Sequence, residues 1–279
     1  MKKLAEVLLP DYELMDESRF PSARRGDILL IGMHLQCNEA RGFPGKVVYV
    51  NGESYGHTYI TNSYYLGPIN DQVSVYQPSL LYYVSFAALE LPGSTQAFAQ
   101  RPKNSGEHFL LYLSSRCLLH RQLAFDALSK IARVTAGGDC HGISNDNYNS
   151  IFVDGIWTNS PKFYKKFKFG LVMENTDISG YVTEKLLAAF IGGTIPIYYG
   201  NEEVFKIFNK KAFIFYNESC LGDVMKRVRF LHTNHKAYQA MLSEPILAEG
   251  AYEKYFWRGT SHVQRLRVAL GINHLPSQF

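Results

Sequence analysis

The first third of the chain contains short apolar runs, separated by polar residues and glycines, that are typical of buried strands. "DILLIGMHL" (27–35) and "KVVYVNGES" (46–54) are rich in Val, Ile and Leu over a strand's length. The longer run "DQVSVYQPSLLYYVSF" (71–86) predicts one or two further strands. These segments predict a sheet in the first part of the chain.

From residue 109 onward, apolar runs of strand length alternate with segments of helical period. In the segment 118–131, one predicted apolar face holds Leu119, Leu123, Leu128 and Ile131. Strands are predicted at 109–115, 132–139, 167–174, 194–200 and 211–216, and helices at 118–131, 181–191, 201–208, 221–232 and 236–244. Strands that alternate with helices imply βαβ units, and therefore an α/β fold with a parallel sheet.

The composition changes at "LPGSTQAFAQRPKNSGEH" (91–108), where Pro, Gly, Ser and charged residues dominate. Such a stretch is typical of a link between domains. We therefore expect an N-terminal domain over residues 1–100 and a C-terminal domain over residues 101–279.

Composition and charge limit the kinds of ligand and partner that we expect this protein to bind. The 279 residues are 46% hydrophobic and 14% aromatic, which provides for a sizeable core, and the formal net charge is +4. This mild positive charge suits a basic pocket for an anionic ligand better than a surface that coats nucleic acid. We expect no nucleic-acid partner.

Cysteine spacing and the N-terminal sequence bear on the compartment. Cys37, Cys117, Cys140 and Cys220 show no paired spacing, which favours free thiols in a reducing compartment. Charged residues and a proline interrupt the N-terminal apolar run, so it resembles neither a signal peptide nor a membrane span. The sequence predicts a soluble, cytoplasmic protein without a transmembrane segment, with peripheral attachment to a membrane as a further option.

Two cations follow predicted strands and open predicted helices in the second half. Lys185 lies in the first turn of a helix expected to begin near residues 181–182, and Arg121, next to His120, follows the strand that ends near residue 115. Ligands of open α/β sheets bind at such turns, where helix N–H groups and a cation can share one phosphate. The two turns together predict a site for the phosphates of a nucleotide diphosphate.

Each cation also has a purely structural interpretation. Lys185 could extend into water, and Arg121 could pair with Asp126 or a surface carboxylate. Polar residues crowd the predicted turn around Lys185 and favour a ligand site there: Glu174, Asn175, Thr183 and Glu184.

In the first half, Glu53 follows a predicted strand and is expected to face the cleft between the halves. A carboxylate in that place could act as a general base on a bound hydroxyl group. It could equally be a solvated glutamate in a loop, and the residue alone does not separate the two interpretations.

The sequence contains few patterns that are typical of a metal site. The sequence has no Asp-x-Asp pair of the kind that holds a divalent ion on a phosphate. His34 with Cys37, and Cys140 with His141, could be combined into a zinc site, but their spacing is not that of a known zinc frame. We expect no metal site.

The stretch "FKFGLVMENTDISGYVTEKLLAAFIGGTIPIYYG" (167–200) resembles the α1,3-fucosyltransferases of glycosyltransferase family 10. That family has Phe-Glu-Asn-Ser after a strand, then Tyr-x-Thr-Glu-Lys, then a strand reading Pro-x-x-x-Gly. The corresponding residues here are 173–176, 181–185 and 196–200. The run is long and specific. The similarity continues through "KAFIFYNE" (211–218) and "LHTNHKAYQAMLSEPI" (231–246), which look most like the bacterial members.

Two shorter segments extend the resemblance. "HRQLAFDALSKIARVTAGG" (120–138) resembles the family segment that holds a phosphate-binding arginine, which maps onto Arg121. "YVNGES" (49–54) resembles the Gly-Glu segment that carries the proposed base, which maps onto Glu53. The resemblance is strong in the second half of the chain and thin in the first.

The resemblance implies a GT-B fold with two Rossmann-like domains that face a cleft, and a donor site in the C-terminal half. It implies an inverting transfer of L-fucose from GDP-fucose to a hydroxyl of an oligosaccharide or glycoprotein glycan, with no required metal or other cofactor. Glu53 would deprotonate the acceptor, while Arg121 and Lys185 would offset the charge of the leaving diphosphate. Contacts to phosphate, ribose or sugar would come from Glu174, Asn175, Tyr181, Thr183 and Glu184.

Two departures from the family pattern leave alternatives open. Met173 replaces the family's aromatic residue and Thr176 its serine, and both are expected to line the donor turn. A donor without the fucose methyl group, such as UDP-xylose, is therefore the second choice, which would make the chain a xylosyltransferase. A non-catalytic module that binds a nucleotide or glycan is the alternative from another class.

Overall fold

The computed structural model describes residues 2–15, 21–32, 43–50, 73–76, 81–144, 147–179, 181–256 and 267. The chain divides into two compact units. The first unit comprises Met1–Leu89 with Tyr252–Phe279, and the second comprises Glu90–Ala251. This division differs from the expected boundary at residue 100 and assigns the C-terminal segment to the first unit.

The first unit contains a parallel three-stranded sheet in the order β1-β2-β3. Its elements are α1 (Lys2–Leu8), β1 (Ile28–Gly32), β2 (Lys46–Val50), β3 (Val73–Tyr76) and α2 (Leu81–Glu90). The prediction of strands over 71–86 is right for β3 and wrong for its second part, which forms α2. A short apolar run has the same appearance in a buried strand and in a buried helix, and this one buries Val84 and Ala87 on a helix.

The second unit is built on a six-stranded parallel sheet in the order β6-β5-β4-β7-β8-β9. The strands are β4 (His108–Leu113), β5 (Val134–Gly137), β6 (Tyr148–Ile151), β7 (Phe167–Met173), β8 (Ile195–Tyr199) and β9 (Ile214–Tyr216). The helices are α3 (Ser94–Ala99), α4 (Leu119–Ser129), α5 (Ser160–Tyr164), α6 (Glu184–Ile191), α7 (Leu221–Thr233) and α8 (His235–Leu242). A further helix, α9 (Ala251–Tyr255), begins at the last residue of this unit and otherwise belongs to the first unit.

The strand order reverses between β4 and β7. After β4 the chain adds β5 and β6 on one side, and after β7 it adds β8 and β9 on the other. Helices that follow the two central strands therefore leave in opposite directions and open a crevice at the carboxyl ends of β4 and β7. Open α/β sheets bind their ligands at this kind of crevice.

The five strands predicted in this unit are confirmed, and β6 is the strand that the pattern missed. Its side chains are half-buried or exposed, because β6 forms the edge of the sheet, so the run Tyr148–Ile151 lacks the apolar signal of a buried strand. The predicted helix at 201–208 is a 3-10 helix over Glu202–Lys206. The helix expected from residues 181–182 starts later, at Glu184, because Thr183 caps it.

The predicted apolar face of α4 is wrong in part. Leu119 is 64% exposed and Leu123 is 49% exposed, whereas Arg121 is only 3% exposed. The face that packs inward holds Ala124, Phe125 and Leu128 together with Arg121. Leucines dominate a hydrophobicity count, but the helix is rotated so that its arginine lies toward the sheet.

Cys117 and Cys140 form a disulfide, which contradicts the prediction that these cysteines are free thiols. Their sequence separation of 23 residues is uninformative, but β4 and β5 are adjacent, so the loops that follow these strands are neighbours. Cys220 is free, and Cys37 lies outside the described residues. A disulfide is typical of an oxidising compartment, so the argument from cysteines for a reducing one no longer holds.

The described helices include none that is long and apolar enough to cross a lipid bilayer.

Candidate functional site

Arg121 spans the crevice at the strand-order reversal. It lies in the first turn of α4, and its side chain reaches over the carboxyl ends of the two central strands. One terminal nitrogen donates to Ser114 Oγ, after β4, at 3.3 Å. The other donates to the carbonyl of Met173, the last residue of β7, at 2.9 Å and to Asn175 Oδ1 at 2.8 Å. One guanidinium therefore joins the two strands between which a ligand is expected.

The partners of Arg121 are all neutral. Within the described ranges, no carboxylate lies close enough to form an ion pair with it, although the side chain is almost fully buried. Its contacts use three of the five N–H donors of a guanidinium, and Nε is buried without a partner. A buried cation with free donors and no counter-ion favours an anionic ligand.

The alternative partner Asp126 is engaged elsewhere. Its Oδ2 accepts from Ile143 N at 3.0 Å, and from the backbone N and hydroxyl of Ser144 at 3.1 and 2.9 Å. Asp126 thereby fixes the loop after β5 instead of neutralising Arg121. The structural interpretation of Arg121 as the partner of Asp126 is wrong.

The start of α6 is organised around a buried carboxylate. Glu174, which follows β7, is 0% exposed, and its Oε1 accepts from the backbone N of Thr183 at 2.8 Å. The hydroxyl of Thr183 lies 2.9 and 2.7 Å from the two carboxylate oxygens, and Tyr198 donates to Oε1 at 3.4 Å. Burial raises the pKa of Glu174, against the opposing charge of Lys185 and the hydrogen bonds from Thr183. Glu174 thus ties the end of β7 to the cap of α6.

Lys185 already has anionic partners inside the protein. Its Nζ lies 3.1 Å from Glu184 Oε1 and 3.6 Å from Glu174 Oε2, and it donates to Thr183 Oγ1 at 3.1 Å. Burial lowers the pKa of Lys185, but the carboxylates of Glu184 and Glu174 outweigh that effect and raise it. The side chain as a whole remains 31% exposed. These carboxylates explain why a cation is stable at the positive end of a helix.

The other residues that the sequence placed at the site are Asn175, Tyr181, Met173 and Glu53. Asn175 is half-buried and is oriented by Arg121, whereas Tyr181 is buried beside the cap of α6. Met173 does not line the turn as expected, because its side chain lies in the hydrophobic core of the unit and only its carbonyl faces Arg121. Glu53 lies outside the described residues, and its predicted role as a base stays a prediction.

The metal alternatives have no support among the residues that the structure describes. Cys140 is bonded to Cys117 and offers no thiolate for a site with His141. His34 and Cys37 lie outside the described residues. Across the described part of the chain, no three side chains of His, Cys, Asp or Glu are grouped so that they could hold a metal ion.

Sequence reasoning missed two contributors to this edge of the sheet. Ser114 accepts from Arg121, and a lone serine after a strand carries no signal for that role. His120 lies against Tyr199 at the end of β8, with ring centroids 4.7 Å apart. Burial, and then the charge of Arg121, lower the pKa of His120, so its imidazole is neutral near pH 7.

Replacing Thr183 with Val should destabilise the second unit by about 2–3 kcal/mol. The change keeps the shape of the side chain but removes the helix cap and leaves the Glu174 carboxylate and the Lys185 ammonium short of a partner. Urea unfolding measures the loss. Thr183→Ser keeps the hydroxyl and should lose less than about 1 kcal/mol; equal losses for both variants would show that the hydroxyl does not hold this network.

Two solved structures share the architecture. The chain aligns with a crystal structure of an α1,3-fucosyltransferase over 97% of its own length and 85% of that chain, with a TM-score of 0.61 and 22% identity. It aligns with an α1,3-fucosyltransferase with GDP-fucose over 98% of each chain, with a TM-score of 0.57 and 20% identity. The fold is therefore of the GT-B class of glycosyltransferases, built from two α/β units, as predicted.

The sequence match gives the family. Residues 105–243 match the family model "Glycosyltransferase family 10 (fucosyltransferase) C-term". The α-(1,3)-fucosyltransferase FucT of Helicobacter pylori is 34% identical over 142 residues, which cover 50% of this chain and 28% of that protein. The chain is thus a fucosyltransferase-like protein of glycosyltransferase family 10, and it spans less than a third of that relative's length. The matched residues include Arg121 and Lys185 but not Glu53.

Proposed function

We propose that this protein transfers L-fucose from GDP-fucose to a hydroxyl group of a glycan. The observation that carries the proposal is the buried Arg121, which bridges the ends of β4 and β7 with free N–H donors and has no carboxylate partner among the described residues. The diphosphate of a nucleotide sugar matches this need for an anion. Membership of family 10, and a related fold solved with GDP-fucose, support guanosine and fucose as the remaining parts of the donor.

In this proposal Arg121 makes the dominant contact with the diphosphate, and Lys185 makes a smaller one. The carboxylates of Glu184 and Glu174 already pair with Lys185, whereas the partners of Arg121 among the described residues are neutral. A phosphate that pairs with Arg121 therefore gains more binding free energy than one that pairs with Lys185. As the leaving diphosphate takes up negative charge, a positioned cation stabilises the transition state more than the ground state.

We further propose a single displacement with inversion. Glu53 removes the proton of the acceptor hydroxyl, the acceptor oxygen forms a bond to the anomeric carbon of fucose, and the bond from that carbon to the β-phosphate oxygen breaks. GDP leaves with the electron pair. The positive charge that the leaving group needs comes from Arg121 and Lys185, so the proposed reaction requires no metal ion.

One of the two sequence observations that favoured UDP-xylose does not hold in the structure. Met173 was expected to line the donor turn, but its side chain packs in the core. Thr176, the other departure from the family pattern, is half-buried in the loop after β7. GDP-fucose is therefore the donor that we propose, and UDP sugars serve as comparison donors.

Donor turnover and binding should be measured side by side for GDP-fucose, GDP-mannose, UDP-xylose and UDP-galactose. We expect GDP-fucose to be hydrolysed slowly without acceptor and transferred when glycan acceptors are supplied, with little change in excess EDTA. Turnover of a UDP sugar with GDP-fucose inert would overturn the donor assignment. Binding of GDP-fucose without any turnover would favour the non-catalytic module, and loss of activity in EDTA with rescue by one divalent ion would overturn the metal-free mechanism.

A further inference from the structure

The Cys117–Cys140 disulfide joins the two loops that follow β4 and β5, at the same edge of the sheet as Arg121. Cys117 is exposed, whereas Cys140 is fully buried. The 23-residue separation means that the covalent loop encloses α4 and β5. The helix that carries Arg121 is therefore held at its start by a bond to the neighbouring strand's loop.

The start of α4 has no side-chain cap, so it is held by the contacts of Arg121 and His120 and by the disulfide. Leu118 occupies the cap position and cannot supply a side-chain hydrogen bond, although its carbonyl accepts from Arg121 N at 3.0 Å. The preceding residues, 115–117, are exposed. A helix start without a side-chain cap is ordinarily prone to fray. The disulfide lies one residue before Leu118 and restrains the turn that the missing cap leaves free.

The partner of Arg121 is held by the same pair of loops. Ser114 N donates to the carbonyl of Gly137 at 3.0 Å, and Cys140 N donates to the carbonyl of Ser114 at 3.2 Å. Gly138 has a φ of 87°, and a Cβ there would lie 2.5 Å from the Ser114 carbonyl oxygen. The two loops thus approach as closely as glycine allows. Ser114, which these backbone bonds hold in place, accepts a hydrogen bond from Arg121 through its Oγ.

We propose that the Cys117–Cys140 disulfide is a positioning element for Arg121, so that affinity for a nucleoside diphosphate falls when the disulfide is reduced. The inference rests on the proposed function, since it takes Arg121 as the main diphosphate contact. Without the bond, the start of α4 and the Ser114 loop lose their shared restraint. The guanidinium then samples positions in which it no longer spans the two strands.

Reduction has a defined chemical course. A thiolate of a dithiol reagent attacks the sulfur of the exposed Cys117, and Cys140 leaves as a thiolate. The second thiol of the reagent then closes on the mixed disulfide and releases Cys117. Two electrons pass to the protein disulfide, and the reagent ends as its cyclic disulfide.

The test is a cycle of binding measurements by calorimetry on oxidised and dithiol-reduced protein, with GDP and guanosine as ligands. We expect reduction to weaken GDP binding about tenfold, within the range of coupling between linked sites, and to leave guanosine binding unchanged. The double variant Cys117→Ala with Cys140→Ala should match the reduced protein. Cys220→Ser, which alters a cysteine outside the disulfide, should respond to the dithiol like the unmodified protein.

Arg121→Ala completes the cycle. If the disulfide acts through Arg121, reduction should cause no further loss of GDP affinity in that variant. An equal loss with and without Arg121, or no loss in the unmodified protein, would overturn the inference while leaving the proposed function in place. Failure of the oxidised protein to bind GDP would overturn the proposed function and this inference with it.

Should reduction unfold the protein, the variant Ser114→Ala takes the place of the reduced protein in these binding measurements. That variant keeps the disulfide and removes the hydroxyl that accepts from Arg121. It should weaken GDP binding by about threefold to tenfold, on the scale of one hydrogen bond, and spare guanosine. Unchanged GDP affinity would show that the loop does not position the guanidinium and would overturn the inference.

Discussion

Replacing Arg121 with Ala is expected to weaken GDP binding about 100-fold and to leave guanosine binding nearly unchanged. A hydrogen bond to a charged group contributes about 1.5–3 kcal/mol, and about 2.7 kcal/mol corresponds to a factor of 100 in affinity. The full value applies because the guanidinium is buried and, in the part of the chain that the structure describes, no carboxylate pairs with it and competes with the ligand. Calorimetry with both ligands separates the diphosphate contribution from the rest of the site.

Two variants make the Arg121 result interpretable. Arg121→Lys keeps the charge but lacks the planar fork that reaches Ser114, Met173 and Asn175 together, so it should recover less than half of the lost binding free energy. Arg133→Ala removes an exposed arginine before β5 and should change neither affinity. Equal losses for GDP and guanosine in Arg121→Ala would mean that the residue supports the fold of the site and does not contact the phosphates.

Replacing Glu53 with Gln should lower turnover by roughly 100-fold or more and leave GDP binding intact, as expected for loss of a general base. Glu53 follows the carboxyl end of β2, which ends at Val50 and is the central strand of the first sheet. Ligand-facing residues of parallel sheets follow that end of a strand. The amide of Gln keeps the size of the side chain but cannot accept the proton.

The matched control for Glu53 is Glu107→Gln, which removes one negative charge from an exposed residue just before β4. It should leave turnover unchanged. Steady-state kinetics with GDP-fucose and a glycan acceptor, together with GDP binding, make the comparison. Turnover of Glu53→Gln at the rate of Glu107→Gln would exclude Glu53 as the base.

The fold of the second unit could be predicted because its strands are buried on both faces. Runs such as Phe167–Met173 and Ile195–Tyr199 stay apolar throughout, and helical segments separate them. The edge strand β6 and the helix α2 were not predicted for opposite reasons. β6 is too polar to stand out, and α2 is too apolar to be distinguished from a strand.

The candidate site could be predicted only in outline. Arg121 and Lys185 could be singled out because a cation at the start of a helix is unfavourable unless an anion lies nearby. The Tyr181–Lys185 motif indicates the family. The direction of each side chain could not be predicted, since it depends on how the helix is rotated against the sheet. The inward position of Arg121 follows from that rotation, whereas the core position of Met173 follows from which face of the sheet its place in β7 gives it.

The pairing of β4 with β7 has a consequence for how the protein is made. It joins His108 to Phe167 across the intervening α4, β5, β6 and α5, so it is a long-range contact that must wait until the chain between has been synthesised. Such non-local strand pairs form slowly. Because Arg121 bonds to both strands, a folding intermediate that lacks this pair also lacks the Arg121 contacts on which the proposed donor site rests. Under the proposed function, GDP binds only the state in which the central pair has formed, so added GDP is expected to shift the folding equilibrium toward that state.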